Sequence, residues 1–170
     1  YCKAYNLDGV NYDDEYSNYP DLNNPSLTTP STAAAARLCY ESKLAMPDKL
    51  VTVCAYGQMG GAATVDGVDA SEWIDIVVPN YGSSAYPIGN MTKKQCAGIA
   101  MEFNLGGGSS LTPSTARSLM NNGYGWYMGF APSPDNYYSI FRRLDGAETL
   151  YGSPLKDPTV FYKKNDPTPY

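Results

Sequence analysis

The stretch Leu50-Val51-Thr52-Val53-Cys54-Ala55-Tyr56, followed by Gly57, decides how this chain of 170 residues is read. Branched residues dominate it and a glycine ends it, which predicts a strand. Two more segments share its texture. Gly60-Gly61-Ala62-Ala63-Thr64-Val65 runs into the turn pair Asp66-Gly67, and Trp73-Ile74-Asp75-Ile76-Val77-Val78 is closed by Pro79-Asn80-Tyr81-Gly82. Three strands separated by turns predict an antiparallel meander.

Helix signals lie on either side. Thr29-Pro30-Ser31-Thr32 supplies an N-cap ahead of Ala33-Ala34-Ala35-Ala36-Arg37-Leu38, so a helix is expected from about Ser31 to Ala45, stopped by Pro47. Thr92 with Gln95 has the form of a capping box, and Cys96, Ile99, Ala100 and Phe103 follow at helical spacing, which predicts a second helix ending at Gly106-Gly107-Gly108. Thr112-Pro113-Ser114 opens a third, running through Met120 to Asn121-Asn122-Gly123. Tyr124 to Phe130 and Tyr137 to Arg142 read as strands, and Thr159 to Tyr162 as an edge strand. Residues 1–30 read as an irregular loop and residues 152–170 as a Pro-rich tail. The expected fold class is α+β: an antiparallel sheet with two or three short helices packed on one side, disulfide-stabilised, in one extracellular domain spanning 1–170.

Composition narrows the function. The net charge of −5 supplies no basic stripe for phosphates, so nucleic acid is excluded as a partner. No apolar run approaches the roughly eighteen residues of a membrane span. The chain has no histidine, which removes the usual base near neutral pH and the commonest metal ligand. Its four cysteines, Cys2, Cys39, Cys54 and Cys96, form no CxxC or Cys/His cluster, so two disulfides in an oxidising compartment are expected. Three connectivities are open. Cys2 with Cys39 and Cys54 with Cys96 is the preferred set, each bridge stabilising by roughly 3–4 kcal/mol.

Several pieces occur in a telling order: Pro47 to Leu50, Gly60-Gly61, Trp73 to Val78, and Met91-Thr92-Lys93-Lys94-Gln95-Cys96-Ala97-Gly98-Ile99-Ala100, with Tyr19-Pro20 upstream. Over roughly residues 19–103 they resemble the globular head of type IVb pilins. The resemblance implies a non-enzymatic, pilin-like subunit or filament-associated component (a fimbrium), acting by protein–protein packing and adhesion. This chain departs from the pattern in lacking a long apolar N-terminal helix and a cysteine after Cys96. The competing reading is a secreted adhesin or lectin that uses exposed tyrosines to bind carbohydrate or a receptor. In Tyr124-Gly125-Trp126-Tyr127-Met128-Gly129-Phe130 the large alternate residues are expected in the core, leaving Tyr127 on an open face with Tyr137 and Tyr138 as candidate binding residues.

Candidate chemistry is sparse. Asn6 to Glu15 crowds oxygen donors around Gly9, and Asp8, Asn11, Asp13 and Glu15 form a calcium candidate, although one residue short of the usual loop spacing. A solvated acidic loop is the preferred reading. Glu72, Asp75, Glu102 and Asp145 are the carboxylates from which a histidine-free hydrolase would draw an acid/base pair. The expectation is no catalytic set and no cofactor. The expected partners are protein subunits, a cell-surface receptor or glycans, at an extracellular or cell-surface location.

Overall fold

The computed structural model describes residues 1–14, 31–55, 62–132, 140 and 142–155. Along the chain come β1 (Gly9–Tyr12), α1 (Ser31–Ala45), β2 (Leu50–Cys54), β3 (Thr64–Val65), β4 (Val68–Asp69), β5 (Ile76–Val78), β6 (Ala97–Glu102), α2 (Pro113–Asn121), β7 (Trp126–Phe130) and α3 (Ala147–Tyr151). Short 3-10 turns at Ala70–Glu72 and Lys93–Gln95 precede β5 and β6.

Five of these strands are parallel and stand side by side in sequence order, which overturns the antiparallel meander. β1 pairs with β2 from Gly9↔Leu50 to Tyr12↔Val53, and β2 with β5 from Thr52↔Ile76 to Cys54↔Val78. A parallel bridge between Val77 and Cys96 leads on to β6, which pairs with β7. The physical reason lies in burial. All of β5 is out of water, as in a strand covered on both faces, so Ile76-Val77-Val78 is apolar without the alternation of a half-solvated meander, while β2 alternates, with Val51 and Val53 buried and Thr52 half-buried. Among the described strands β3 and β4 pair antiparallel, and an isolated antiparallel bridge joins Met101 to Gly108. The β3–β4 pair is joined at Asp66-Gly67 with φ of 50° and 79°, both positive as a two-residue hairpin requires.

Two further expectations change. Gly9–Tyr12, expected as loop, is a strand held by its ladder to β2, and Gly9 lets the chains approach: a Cβ there would lie 2.1 Å from the Leu50 carbonyl oxygen. The expected second helix is β6. Only its first turn forms, with Gln95 Oε1 accepting from the Thr92 N–H at 3.2 Å, and the chain then extends from Ala97. Every residue of β6 is buried, and small side chains in a doubly covered strand carry no period that separates strand from helix. Of the strand expected over 137–142, Ile140 and Arg142 are helical, and the edge strand at 159–162 lies outside the described residues.

Alternation along the strands sorts the side chains to two faces. Val10, Tyr12, Val51, Val53 and Val77 pack with Ala35, Ala36 and Cys39 of α1 and with Trp73. Farther along the sheet, Ile99, Met101 and Phe103 pack with Leu111, Ala116 and Leu119 around α2 and with Ala147 of α3. The opposite face carries Cys54, Ile76, Val78, Ala97 and Met128. All the connecting helices that these clusters contain therefore cover one face.

This two-faced arrangement also removes the disulfides. None of the four buried cysteines is bridged. Cys54 belongs to the open-face cluster while Cys96 packs on the helix-covered side, so their side chains are separated by the sheet. The Cys2 thiol donates to the Gly9 carbonyl at 3.4 Å, and Cys39 lies within the α1 core. Burial pushes the Cys39 thiol up to about 12, and raises Cys96 as well. Thiol titration of the unfolded chain should count four, and adding reductant should leave the unfolding midpoint in place. Loss of two disulfides would instead lower stability by about 2–5 kcal/mol each.

Candidate functional site

Parallel strands share one carboxyl edge, where α/β proteins gather their reactive groups. Here β1 ends in Tyr12-Asp13-Asp14 and β5 in Val78-Pro79-Asn80-Tyr81. β7 ends at Phe130. On the open face they form a concavity of about 330 Å³. Its floor is Asn11, Thr52, Cys54, Ile76 and Val78, and its rim holds Asp13, Tyr81, Trp126 and Phe130.

The β1/β2 register sets the floor. Asn11 stands opposite Thr52, whose hydroxyl donates to Asn11 Oδ1 at 2.7 Å and also lies 3.3 Å from the Val10 carbonyl. That bond leaves the Asn11 amide nitrogen turned toward the Cys54 sulfur, 4.0 Å away. Asp13, two residues on, shares the Asn11 face and is exposed beyond the strand's end. Trp126 and Phe130 keep 45 % and 48 % of their surface in water, and the Tyr81 and Phe130 rings lie 6.1 Å apart at 42°. A carboxylate beside flat aromatic faces and hydrogen-bonding groups can hold a sugar ring and move a proton near it.

The sequence-derived candidates are distributed differently. Tyr127 is among the residues lining the concavity, between Trp126 and Met128. Its ring packs beside the α2 cluster, its hydroxyl accepts from Tyr151 at 3.4 Å, and burial, then Tyr151, raises its pKa. Trp126 and Phe130, expected in the core, face the concavity instead. Tyr137 and Tyr138 lie outside the described residues. Asp75 precedes β5 at the amino edge, where it accepts from Lys43 Nζ at 2.9 and 3.1 Å and from the Val51 N–H at 2.7 Å. Glu102 folds back on its own turn, accepting from the Asn104 N–H at 2.7 Å and from that of Leu105. Glu72 and Asp145 are exposed elsewhere. These four carboxylates therefore share no cleft.

The proposed calcium stretch is extended rather than looped. Asp8 offers its carbonyl to the Leu50 N–H ahead of β1, Asn11 and Asp13 point to the concavity, and Glu15 lies outside the described residues. Among the described residues no group of three or more acidic, histidine or cysteine side chains is arranged to hold a metal ion. The residues missed from sequence are thus Trp126, Phe130 and Tyr81. The available signal was the alternation Val10-Asn11-Tyr12-Asp13, which puts two polar residues on one face of a short strand.

No family model matches the chain. In an alignment 172 positions long that takes in 96% of the chain, it is 39% identical to endo-β-N-acetylglucosaminidase F1 of Elizabethkingia meningoseptica, and it covers 50% of that protein. It is also similar to two crystal structures of EndoBT-3987 from Bacteroides thetaiotamicron. One, with Man5GlcNAc product, is 76% identical and gives a TM-score of 0.89 over 99% of this chain and 40% of that one. The other, in complex with Man9GlcNAc2Asn substrate, is 75% identical with a TM-score of 0.89, again over 99% of this chain and 43% of the other. The chain thus spans about half the length of this curated relative. These similarities overturn the pilin resemblance and, with it, the non-enzymatic, filament-forming reading. The shared motifs were turn and cap chemistry: the Thr92 turn leads into a strand, and Gly60-Gly61 lies outside the described residues. The relatives are glycosidases by name, so neither a structural subunit nor a lectin describes what this chain is similar to.

Proposed function

We propose that this chain is the acid-bearing section of a glycoside hydrolase of the endo-β-N-acetylglucosaminidase type, acting on N-linked glycans. The observation that carries the reading is Asp13, beyond the carboxyl end of β1, lining one concavity with Trp126, Tyr81 and Phe130. Its sequence identity of 75% to a protein crystallised with Man9GlcNAc2Asn substrate supports the same substrate class. A substrate with two GlcNAc units and a product with one imply a cut between them.

Glycoside hydrolysis needs an acid to protonate the leaving oxygen and a second group to stabilise or attack the anomeric carbon. An N-acetylated sugar brings an amide that can act as that nucleophile, so the protein must supply the acid and a carboxylate that orients the amide. Asp13 is one carboxylate. Its neighbours Asp14 and Glu15 are the sequence-adjacent sources of the other. The aromatic rim would receive the apolar faces of the sugar rings, and the Asn11 amide would meet a ring substituent. Glycoproteins are found outside cells, so an extracellular or cell-surface location is part of the proposal, supported now by substrate class rather than by cysteines.

The test is incubation with a high-mannose Asn-linked glycopeptide, read by mass spectrometry. A peptide retaining one GlcNAc is expected. In the same assay Phe130→Ala should raise KM by up to about tenfold, since an aromatic contact contributes ~0.5–1.5 kcal/mol beyond its area. Intact glycopeptide, together with no change in tryptophan fluorescence on titration with Man5GlcNAc, would overturn the proposal.

A further inference from the structure

A glycine-rich turn stands beside the concavity, and one arginine holds it. The residues Asn104-Leu105-Gly106-Gly107-Gly108 follow β6 at the carboxyl edge, and Gly106 and Gly108 have φ of 78° and 73°. Three glycines in a row leave such a turn many alternative conformations, and without side chains it cannot pack itself into one of them. The structure gives it an external clamp. Arg143 donates through Nη2 to the carbonyls of Gly107 at 2.8 Å and Gly108 at 2.9 Å, through Nη1 to that of Glu102, and through Nε to the Ser110 hydroxyl at 3.2 Å. The guanidinium lies 6.0 Å from the centre of the Phe103 ring, and the Arg143 carbonyl accepts from the Leu111 N–H at 2.8 Å. Glu102, only 5 % exposed, completes the turn from within by accepting from two of its amides.

This clamp adjoins the site at Tyr81, and its other end lies along the β6/β7 ladder, where the Phe103 N–H donates to the Phe130 carbonyl at 3.0 Å. The backbone at Gly107 is where Tyr81 rests: a Cβ built there would lie 3.6 Å from Tyr81 Cδ2. Tyr81 in turn faces Phe130 across 6.1 Å, and both rings wall the concavity. A planar fork that bridges several carbonyls at once cannot be replaced by a point charge on a flexible stem. We propose that Arg143 is a positioning residue of the site: by fixing the turn at 104–108 it sets where Tyr81 stands, and so the separation of the aromatic walls that receive the sugar. Arg143 does not line the concavity, and the route proposed for its influence is the turn and Tyr81 rather than the ladder contact of Phe103 with Phe130. This inference rests on the glycosidase reading only for its ligand.

The experiment therefore has two arms. In the first, amide hydrogen exchange compares the protein with Arg143→Ala and Arg143→Lys. Faster exchange confined to 102–110 is expected in both variants, with the Tyr81 ring resonances shifted and the α1 core amides unchanged. Unaltered exchange at 102–110 would overturn the proposal, as would loosening spread evenly through the molecule. In the second arm, kcat/KM toward the high-mannose glycopeptide is measured for Arg143→Ala, Tyr81→Ala and the double variant. A displacement of a contact group by about an ångström can lower kcat/KM by up to about a hundredfold. The loss in Arg143→Ala should fall mainly on KM, remain in Arg143→Lys, and vanish when Tyr81 is already alanine, because the two residues act in series. Additive losses would sink the proposal. If the unaltered protein neither cleaves nor binds the glycopeptide, the functional reading fails, and the exchange arm alone decides the role of Arg143.

Discussion

Asp13→Asn is expected to lower kcat toward a high-mannose glycopeptide by about two to four orders of magnitude, the range attached to one positioned proton-transfer group. The substitution keeps shape and removes charge, so the concavity, its Asn11 and Thr52 floor and its aromatic rim should stay as they are. Asp13 is exposed beyond the end of β1 and belongs to none of the packed clusters. Stability is read alongside the kinetics, because a lower kcat counts as chemistry only where the fold is kept. KM should change little if the carboxylate acts mainly in the transition state. The measurement is steady-state kinetics paired with thermal unfolding. A kcat within tenfold of the parent protein, with the fold intact, would remove Asp13 from the chemistry. In that event Asp14→Asn and Glu15→Gln become the decisive variants.

The second large effect concerns the fold. Trp73→Ala should cost about 3–5 kcal/mol, the usual range for truncating a buried aromatic to alanine. Trp73 is 2 % exposed, its indole N–H donates to the Val68 carbonyl at 3.1 Å, and its ring meets Tyr40 of α1 edge-on at 6.4 Å and 83°. One side chain thus ties the β3–β4 hairpin, the turn before β5 and α1 together. Truncation opens a cavity and leaves the Val68 carbonyl without that donor. Against a typical domain stability of about 5–15 kcal/mol, the loss is a large share. Urea unfolding would read it directly, and Trp73→Phe should lose less because the ring contact with Tyr40 is kept. A loss below about 1 kcal/mol for Trp73→Ala would mean the site collapses around the void, contrary to the rigid packing of the cluster.

Local signals in the sequence were legible where one residue type has one physical meaning. Helix α1 runs from Ser31 to Ala45 as expected, ending ahead of Pro47, and Thr112-Pro113 opens α2, with Thr112 Oγ1 accepting from the Thr115 N–H at 3.1 Å. Asp66-Gly67 turns the hairpin because both positions need positive φ. What stayed hidden was everything set by long-range pairing. Strand direction has no local marker, and the parallel ladder of β2 and β5 follows from a connection that crosses over the sheet. Ala97 to Glu102 reads as helix until burial on both faces is known. The cysteines invited pairing because only their number and spacing were visible, not the sheet between Cys54 and Cys96. At the site, Asn11 and Asp13 stand out in the sequence as oxygen donors, yet the stretch reads as a solvated acidic loop because β1 is only four residues long. The choice between Tyr127 and its neighbours Trp126 and Phe130 was a choice of face, which alternation alone leaves undetermined.

The interleaving of the two faces also limits how this architecture can change. Val10, Tyr12, Val51 and Val53 hold the helices, and Asn11, Thr52 and Cys54 floor the concavity, so core and site residues alternate one by one along β1 and β2. Inserting or deleting a single residue within either strand would exchange the two sets past that point, putting Asn and Thr against α1 and valines into the concavity. The ladder would survive while both the core and the site were lost. The segments beyond the strands' carboxyl ends carry no such constraint, since lengthening a surface loop costs little closure entropy. Length variation among proteins built this way is therefore expected after Asp13, Cys54, Tyr81, Glu102 and Phe130, with the strands themselves held at fixed length.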